Sequence, residues 1–181
     1  KKPELVQWSG NPRPFEEVLE ATEGAGYVHM NGGLTRFDNR FSSVAHVTPI
    51  GVQKGKYWQV YAPMSNENTY TNLWTGRFFG FKFLQSTVDN TESPIRIDPF
   101  NVYFHAYSGQ KLASLRALQH NFDYARTRDL TPIFTSEFAA IANSYFGVEF
   151  MPLGKQGWRV LNRGELNTIR FDKATNLTLD F

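Results

Sequence analysis

Short apolar runs and amphipathic stretches alternate along most of this chain. ELVQWSG (4–10) predicts a short strand ending in a turn, and NPRPFEEVLEATEGAG (11–26) predicts a helix. Asn11 suits its cap, Pro12 or Pro14 its first turn, Glu16 and Glu17 its positive end, and Gly24 or Gly26 its stop. YVHMNGG (27–33) reads as a second strand closed by two glycines. Residues 35–56 have no clean period and predict a long loop. YWQVYAP (57–63) is a third strand, followed by the polar MSNENTYTN (64–72). LWTGRFFGFKFLQSTV (73–88) is apolar and ambiguous, because Gly76 and Gly80 weaken a helix. IDPFNVYFH (97–105) reads as a fourth strand and TPIF (131–134) as a fifth. Between them, 110–129 gives the clearest helix, with Leu112, Leu115, Leu118, Phe122 and Ala125 on one stripe. SEFAAIANSYFG (136–147) is a last helix, capped by Thr135 or Ser136 and stopped by Gly147.

This order predicts a parallel α/β arrangement over residues 1–147. After it come the short β-like segments VEFMP, GWRVLNRG, NTIRF and NLTLDF, so 148–181 reads as a β-rich appended segment or the start of a further module. Strand residues alternate between two faces. Val6 and Trp8, Val28 and Met30, Val102 and Phe104 form apolar faces. Gln7 and Ser9, His29 and Asn31, Gln59 and Tyr61, Tyr103 and His105 form the others. A parallel strand buried on both sides normally reads apolar on both, so the polar face predicts a barrel interior or a cleft. Five strands are too few for a closed barrel of about eight, so the sheet is open or further strands lie outside this chain.

Composition narrows the partners. Lysine plus arginine number 19 against 17 acidic residues, with no dense basic cluster, so nothing calls for nucleic acid. No apolar run reaches the length of a membrane span, and KKPELVQWSG has no signal-like apolar core. The absence of cysteine excludes disulfides, thiolate metal sites and a cysteine nucleophile. Aromatics reach 15 %, a composition that suits stacking on sugar faces as well as core packing.

The candidate chemistry collects at predicted strand ends. Ser9-Gly10-Asn11, Asn31-Gly32-Gly33, Asn66-Glu67-Asn68, His105 and Ser136-Glu137 all fall there, and α/β folds build sites at that rim. Asn11 and Ser136 read as helix caps. His105 and the Asn66-Glu67-Asn68 cluster read as functional. Tyr61, Tyr70, Trp74, Tyr103 and Tyr107 could offer stacking faces, with Asn66, Glu67 and Asn68 hydrogen-bonding sugar hydroxyls. Glu67 and Glu137 could instead face each other as the two carboxylates of a glycoside hydrolase, although Glu137 equally suits the first turn of its helix.

IDPFNVYFHAYSGQKLASLRAL followed by TPIFTSEFA resembles the C-terminal half of the deacetylase domain of PelA-type exopolysaccharide proteins. Upstream, WSGNPRPFEEVLE, NGGLTRFD, VYAPMSNENTYTNLWTG and GFKF resemble the same domain in the same order, so the likeness covers roughly residues 5–147. The resemblance implies a partly open (β/α) barrel of polysaccharide-deacetylase type. The implied activity is removal of acetyl groups from an N-acetylhexosamine polymer, in the periplasm or outside the cell. It further implies zinc or a similar divalent metal that activates the attacking water, and a late strand-end histidine that protonates the leaving amine. His105 matches that histidine by its place in the order of motifs. Arg36 and Asp38 match a supporting catalytic element, and Asn31 lies beside them in the same NGGLTRFD run. Asn31, Asn66, Glu67, Asn68, Trp74, Tyr103 and Tyr107 are the candidate substrate-binding residues. The family's paired-aspartate motif and closely spaced histidine pair are absent, since His29, His46, His105 and His120 stand 15 or more positions apart. A metal site within this chain would need His29, His105 and Asp38 or Glu67 to converge. Otherwise the metal-holding half is expected outside it, in further domains of the same polypeptide.

Overall fold

Strand β1 (Leu5–Gln7) leads through helix α1 (Glu16–Gly24) into strand β2 (Val28–Gly33), and the two strands pair in parallel. The computed structural model describes residues 3–10, 12–154, 157–171 and 178. The predicted cap Asn11 and nearly all of the NLTLDF run lie outside the described residues. Helix α1 begins at Glu16, with both glutamates in its first turn, so Pro12 and Pro14 precede it rather than open it.

Strand β3 (Gly51–Lys54) and strand β4 (Tyr57–Ser65) form an antiparallel hairpin, and β4 pairs in parallel with β2. The sheet order is therefore β1-β2-β4-β3, an open mixed sheet rather than a closed barrel. The predicted loop over 35–56 hides β3. GVQK has little apolar alternation, and its pairing depends on the two-residue turn at Gly55, whose φ of +58° favours glycine.

Two predicted strands do not form. Residues 97–105 run extended but join no ladder, and 131–134 form an exposed connector. Pro99 and Pro132 carry no backbone donor. The His105 amide is used elsewhere, donating to the Glu67 carboxylate. The 97–105 segment is wedged between two cores instead. Phe100 and Val102 pack against Met64, Phe81 and Leu84, while Tyr103 packs against the Met30, Val60 and Ala62 cluster.

The polar sheet face exists, but it is not a cleft. His29, Asn31, Gln59 and Tyr61 are all buried. The segment leading into α1 covers them, and its Pro12 carbonyl accepts from Asn31 Nδ2 at 2.7 Å and Gln59 Nε2 at 3.0 Å. Carbonyls of a non-ladder segment need donors, and the polar face supplies them. The face assignment of β1 is also reversed. Leu5 pairs with Val28 and Gln7 with Met30, so these two lie on the Met30 side and Val6 on the His29 side.

The polar stretch 64–72 contains the short helix α2 (Glu67–Tyr70). The ambiguous stretch resolves into a 3-10 segment (Phe78–Phe83) running into helix α3 (Leu84–Glu92). Gly80 permits this packing, because a Cβ there would lie 2.4 Å from the Tyr70 carbonyl oxygen. Helix α4 (Leu112–Arg126) forms as predicted but is rotated. It buries Ser114, Ala117, Leu118 and Asn121, while Leu112 and Phe122 face solvent. Small and polar residues turn inward because the 3-10 backbone needs donors: Asn121 Nδ2 reaches the Phe81 carbonyl at 2.9 Å.

Helix α5 (Thr135–Gly147) lies on the Met30 face through Ala142 and Phe138. Its cap position is Phe134, not Thr135 or Ser136, and the Glu137 carboxylate accepts the Phe134 amide. Strands β5 (Glu149–Pro152) and β6 (Trp158–Leu161) form a separate antiparallel hairpin, so the pattern does change after 147. NTIRF (167–171) adds no strand to it.

Candidate functional site

The site is built where β4 ends. Asn66 caps α2, its Oδ1 accepting the Asn68 amide at 3.1 Å. That cap puts Glu67 in the first helical position with its side chain only 1 % exposed. Glu67 Oε1 accepts both the His105 amide at 3.1 Å and His105 Nδ1 at 2.7 Å. Whenever Glu67 is ionised it can only accept, so Nδ1 is then the donor of this bond and Nε2 is the ring nitrogen left for exchange. Glu67 Oε2 is buried and has no hydrogen-bond partner. The His105 side chain is 28 % exposed, so the imidazole is reachable while the carboxylate that holds it is not.

Aromatic rings flank this dyad. Tyr107 stacks on His105 at 4.8 Å and 6° between planes. Its hydroxyl is held by Asn68, accepting from Nδ2 at 3.0 Å and reaching Oδ1 at 3.3 Å. Trp74 meets Tyr107 edge-on at 5.9 Å, and Tyr103 lies tilted 5.7 Å from His105. The row Trp74–Tyr107–His105–Tyr103 joins residues up to 33 positions apart that no local pattern links.

Trp74 is held by an unusual turn. Asn72, Leu73 and Trp74 take φ of 50°, 53° and 66°, three successive non-glycine residues in the left-handed region. Each such residue costs roughly 1–2 kcal/mol, Asn least. Hydrogen bonds to α2 hold the turn: the Leu73 amide donates to the Asn68 carbonyl at 2.8 Å and the Trp74 amide to Thr71 Oγ1 at 3.2 Å.

Arg36 and Asp38 do not join His105. They form a buried pair, Nε to Oδ2 at 2.8 Å, and Arg36 Nη1 donates to the Thr69 carbonyl of α2 at 2.7 Å. Its guanidinium lies between the Phe41 and Tyr70 rings, 4.6 Å from each centroid. Asp38 Oδ1 accepts the Arg40 and Phe41 amides. Arg36 Nε and Nη1 and both Asp38 oxygens thus have structural partners, and the pair braces α2 through the Thr69 carbonyl. A cavity of about 510 Å³ opens there, lined by Arg36, Asp38, Arg40, Asn72, Arg77 and Phe83 among others.

Other candidates have bland roles. Asn31 is fully buried and serves Pro12 and the Gly32 amide. Tyr61 and Tyr70 are buried and offer no stacking face; burial pushes the Tyr70 hydroxyl up to about 12. Glu137 caps its own helix, so it does not stand free as the second carboxylate of a glycosidase. His120 is a surface residue, and His46 packs edge-on against Phe41.

The residues present do not fit the metal the resemblance implies. His29 bonds Glu23 through Nε2 at 3.1 Å, His105 bonds Glu67, and Asp38 is taken by Arg36. Among the described residues no three His, Asp or Glu side chains gather as a ligand set. Nor is any described helix long and apolar enough to cross a membrane. What sequence reading missed is the role of Glu67, whose partner lies 38 positions away with no spacing signal to reveal it. Compared with known proteins, the chain matches no family model, no curated protein and no solved structure.

Proposed function

We propose that this chain carries the sugar-seating and proton-transferring part of a carbohydrate-active site whose reaction is deacetylation of an N-acetylhexosamine polymer. The observation that carries the reading is the Glu67–His105 bond: a buried carboxylate orients a half-exposed imidazole beside a row of aromatic faces. The motif resemblance supplies the reaction class. In hydrolysis of the N-acetyl group, water adds to the acetyl carbonyl, the C–N bond breaks, acetate leaves and the sugar keeps its nitrogen. That nitrogen must gain a proton as it departs. His105, held by Glu67 through Nδ1, takes a proton from the attacking water at Nε2 and returns it to that nitrogen as the C–N bond breaks. Trp74 and Tyr107 seat pyranose faces, and Asn68 holds Tyr107 in place. No step is assigned to a metal, because the described side chains do not form a ligand set for one.

The test is acetate release from N-acetylhexosamine oligomers by the protein as it is made in the cell. His105→Ala lowers kcat about 100-fold or more with KM little changed. A His105→Ala variant that releases acetate at the wild-type rate overturns the assignment. Tight oligomer binding with no acetate release by the wild type would instead identify a binding module built on the same aromatic row.

A further inference from the structure

Arg36 is 4 % exposed, and its guanidinium is engaged on both faces and along two edges. Nε donates to Asp38 Oδ2 at 2.8 Å and Nη1 to the Thr69 carbonyl at 2.7 Å, while the Phe41 and Tyr70 ring centroids each lie 4.6 Å away. Nη2 alone donates no hydrogen bond to any described residue, and it is not sealed from solvent. Arg36 lines the cavity of about 510 Å³, and Nη2 is the one edge it has left to present there. Buried polar groups are normally satisfied, and a charged one has the most to gain from a partner. The surroundings agree in sign. Asp38 also borders the cavity, but Oδ2 is taken by Arg36 and Oδ1 by the Arg40 and Phe41 amides. Arg40 and Arg77 border it as well, and neither has a carboxylate partner among the described residues. The walls therefore carry two positive charges beyond the balanced Arg36–Asp38 pair. Phe83 supplies an apolar wall and Ser86 a polar one. Small-molecule sites have volumes of about 300–1,000 Å³ and this same mixture of apolar walls and a few fixed polar groups.

We infer that this cavity binds a small organic oxyanion, a carboxylate or phosphate on a body the size of a hexose, with Arg36 Nη2 as its fixed donor. The inference is independent of the reaction at His105. An oxyanion gives Nη2 a charge-assisted hydrogen bond and answers the charges of Arg40 and Arg77 together. A neutral ligand could accept from Nη2 but would leave those charges unanswered, and an amine would be repelled. Arg36 is already immobilised by its partners, so binding need not order it. Arg40 and Arg77 add attraction from the wall. Carboxylate and phosphate share this chemistry, and the probes below separate them.

The experiment is calorimetric titration of the 181-residue protein at low salt with glucuronate, glucose 6-phosphate, inorganic phosphate and, as the neutral control, glucose. At least one of the two sugar anions binds about tenfold more tightly than glucose or better, and added salt narrows the ratio. Tighter glucuronate assigns the carboxylate, and tighter glucose 6-phosphate assigns the phosphate. Arg36→Lys keeps a charge beside Asp38 but lacks the second donor edge, and it weakens the preferred anion about tenfold or more. Arg77→Gln and Arg40→Gln change exposed side chains, leave the melting temperature unmoved and each weaken that anion several-fold without touching glucose. These two variants keep the test decisive if Arg36→Lys fails to fold. Sugar anions that bind no better than glucose overturn the site. So does anion binding that none of the three substitutions moves, and so does inorganic phosphate binding as tightly as either sugar anion, because the cavity walls then contribute nothing.

Discussion

The molecule contains two histidine–glutamate pairs that invert one another. In His105–Glu67 the carboxylate is 1 % exposed and the imidazole 28 %; in His29–Glu23 the imidazole is 0 % exposed and the carboxylate 39 %. The residue types are the same and the bond lengths similar, 2.7 and 3.1 Å. The difference is which partner meets solvent. A buried carboxylate with an accessible imidazole makes a group that can exchange a proton with a ligand. A buried imidazole with a surface carboxylate makes a cross-link between α1 and the sheet. Residue identity and pairing thus do not distinguish a reactive histidine from a structural one; the direction of burial does.

The sharpest way to break this comparison is paired alanine substitution. His105→Ala lowers acetate release per folded molecule about 100-fold or more, and it also lowers the melting temperature because it strands the buried Glu67 carboxylate. His29→Ala leaves activity per folded molecule unchanged but costs roughly 2–4 kcal/mol of stability, through a cavity and a lost buried hydrogen bond. The reverse pattern, measured by activity assay and chemical denaturation, would exchange the two roles. The buried Arg36–Asp38 pair extends the same logic. Arg36→Met strands Asp38 in a site 6 % exposed and costs about 3–5 kcal/mol. Because that pair braces α2, activity falls in step with folding rather than beyond it, and a fully folded, inactive Arg36→Met protein would restore Arg36 to a catalytic role.

A lone buried carboxylate sharpens the contrast further. Among the described residues Asp98 accepts only from Thr35 Oγ1, at 3.2 Å, and burial pushes its carboxyl up to about 7. With the folded-state value above the unfolded one, its contribution is fully present below about pH 4 and is lost as pH rises through about 7. Asp98→Asn removes that loss. The variant gains melting temperature at pH 8 and is level with wild type near pH 4; an equal effect at both pH values would show that Asp98 does not titrate in this way. The smallest effect is chemical. Diethyl pyrocarbonate modifies His105 and the exposed His46 and His120 and spares His29, and mass spectrometry locates the adducts. Modification of His29 in the folded protein would contradict its burial.

Much of the secondary structure was legible because it is local. The helices at 16–24, 112–126 and 135–147 and the strands at 28–33 and 57–65 follow from apolar spacing and Gly or Pro punctuation. Errors arose where a non-local need outweighed local pattern. IDPFNVYFH alternates like a strand, yet its last amide serves a carboxylate instead of a ladder. The α4 stripe of leucines predicted the wrong face, because the backbone it packs on called for an asparagine donor. The strand GVQK was invisible until β4 paired with it. At the site, His105 and the 66–68 cluster stood out as polar residue types, but their pairing could not be read.

By itself the sequence determined an α/β chain with three main helices, a parallel β1–β2 unit and a change to hairpin structure after 147. Only the tertiary structure decided that Glu67 belongs to His105, that Arg36 and Asp38 belong to each other, and that the polar sheet face is closed by Pro12. The physical reason is range. Helical period, turn chemistry and capping act over a few residues and are written in neighbouring letters. Burial and hydrogen-bond pairing act between segments tens of residues apart, and they assign a charge or an imidazole its role only once the chain has folded.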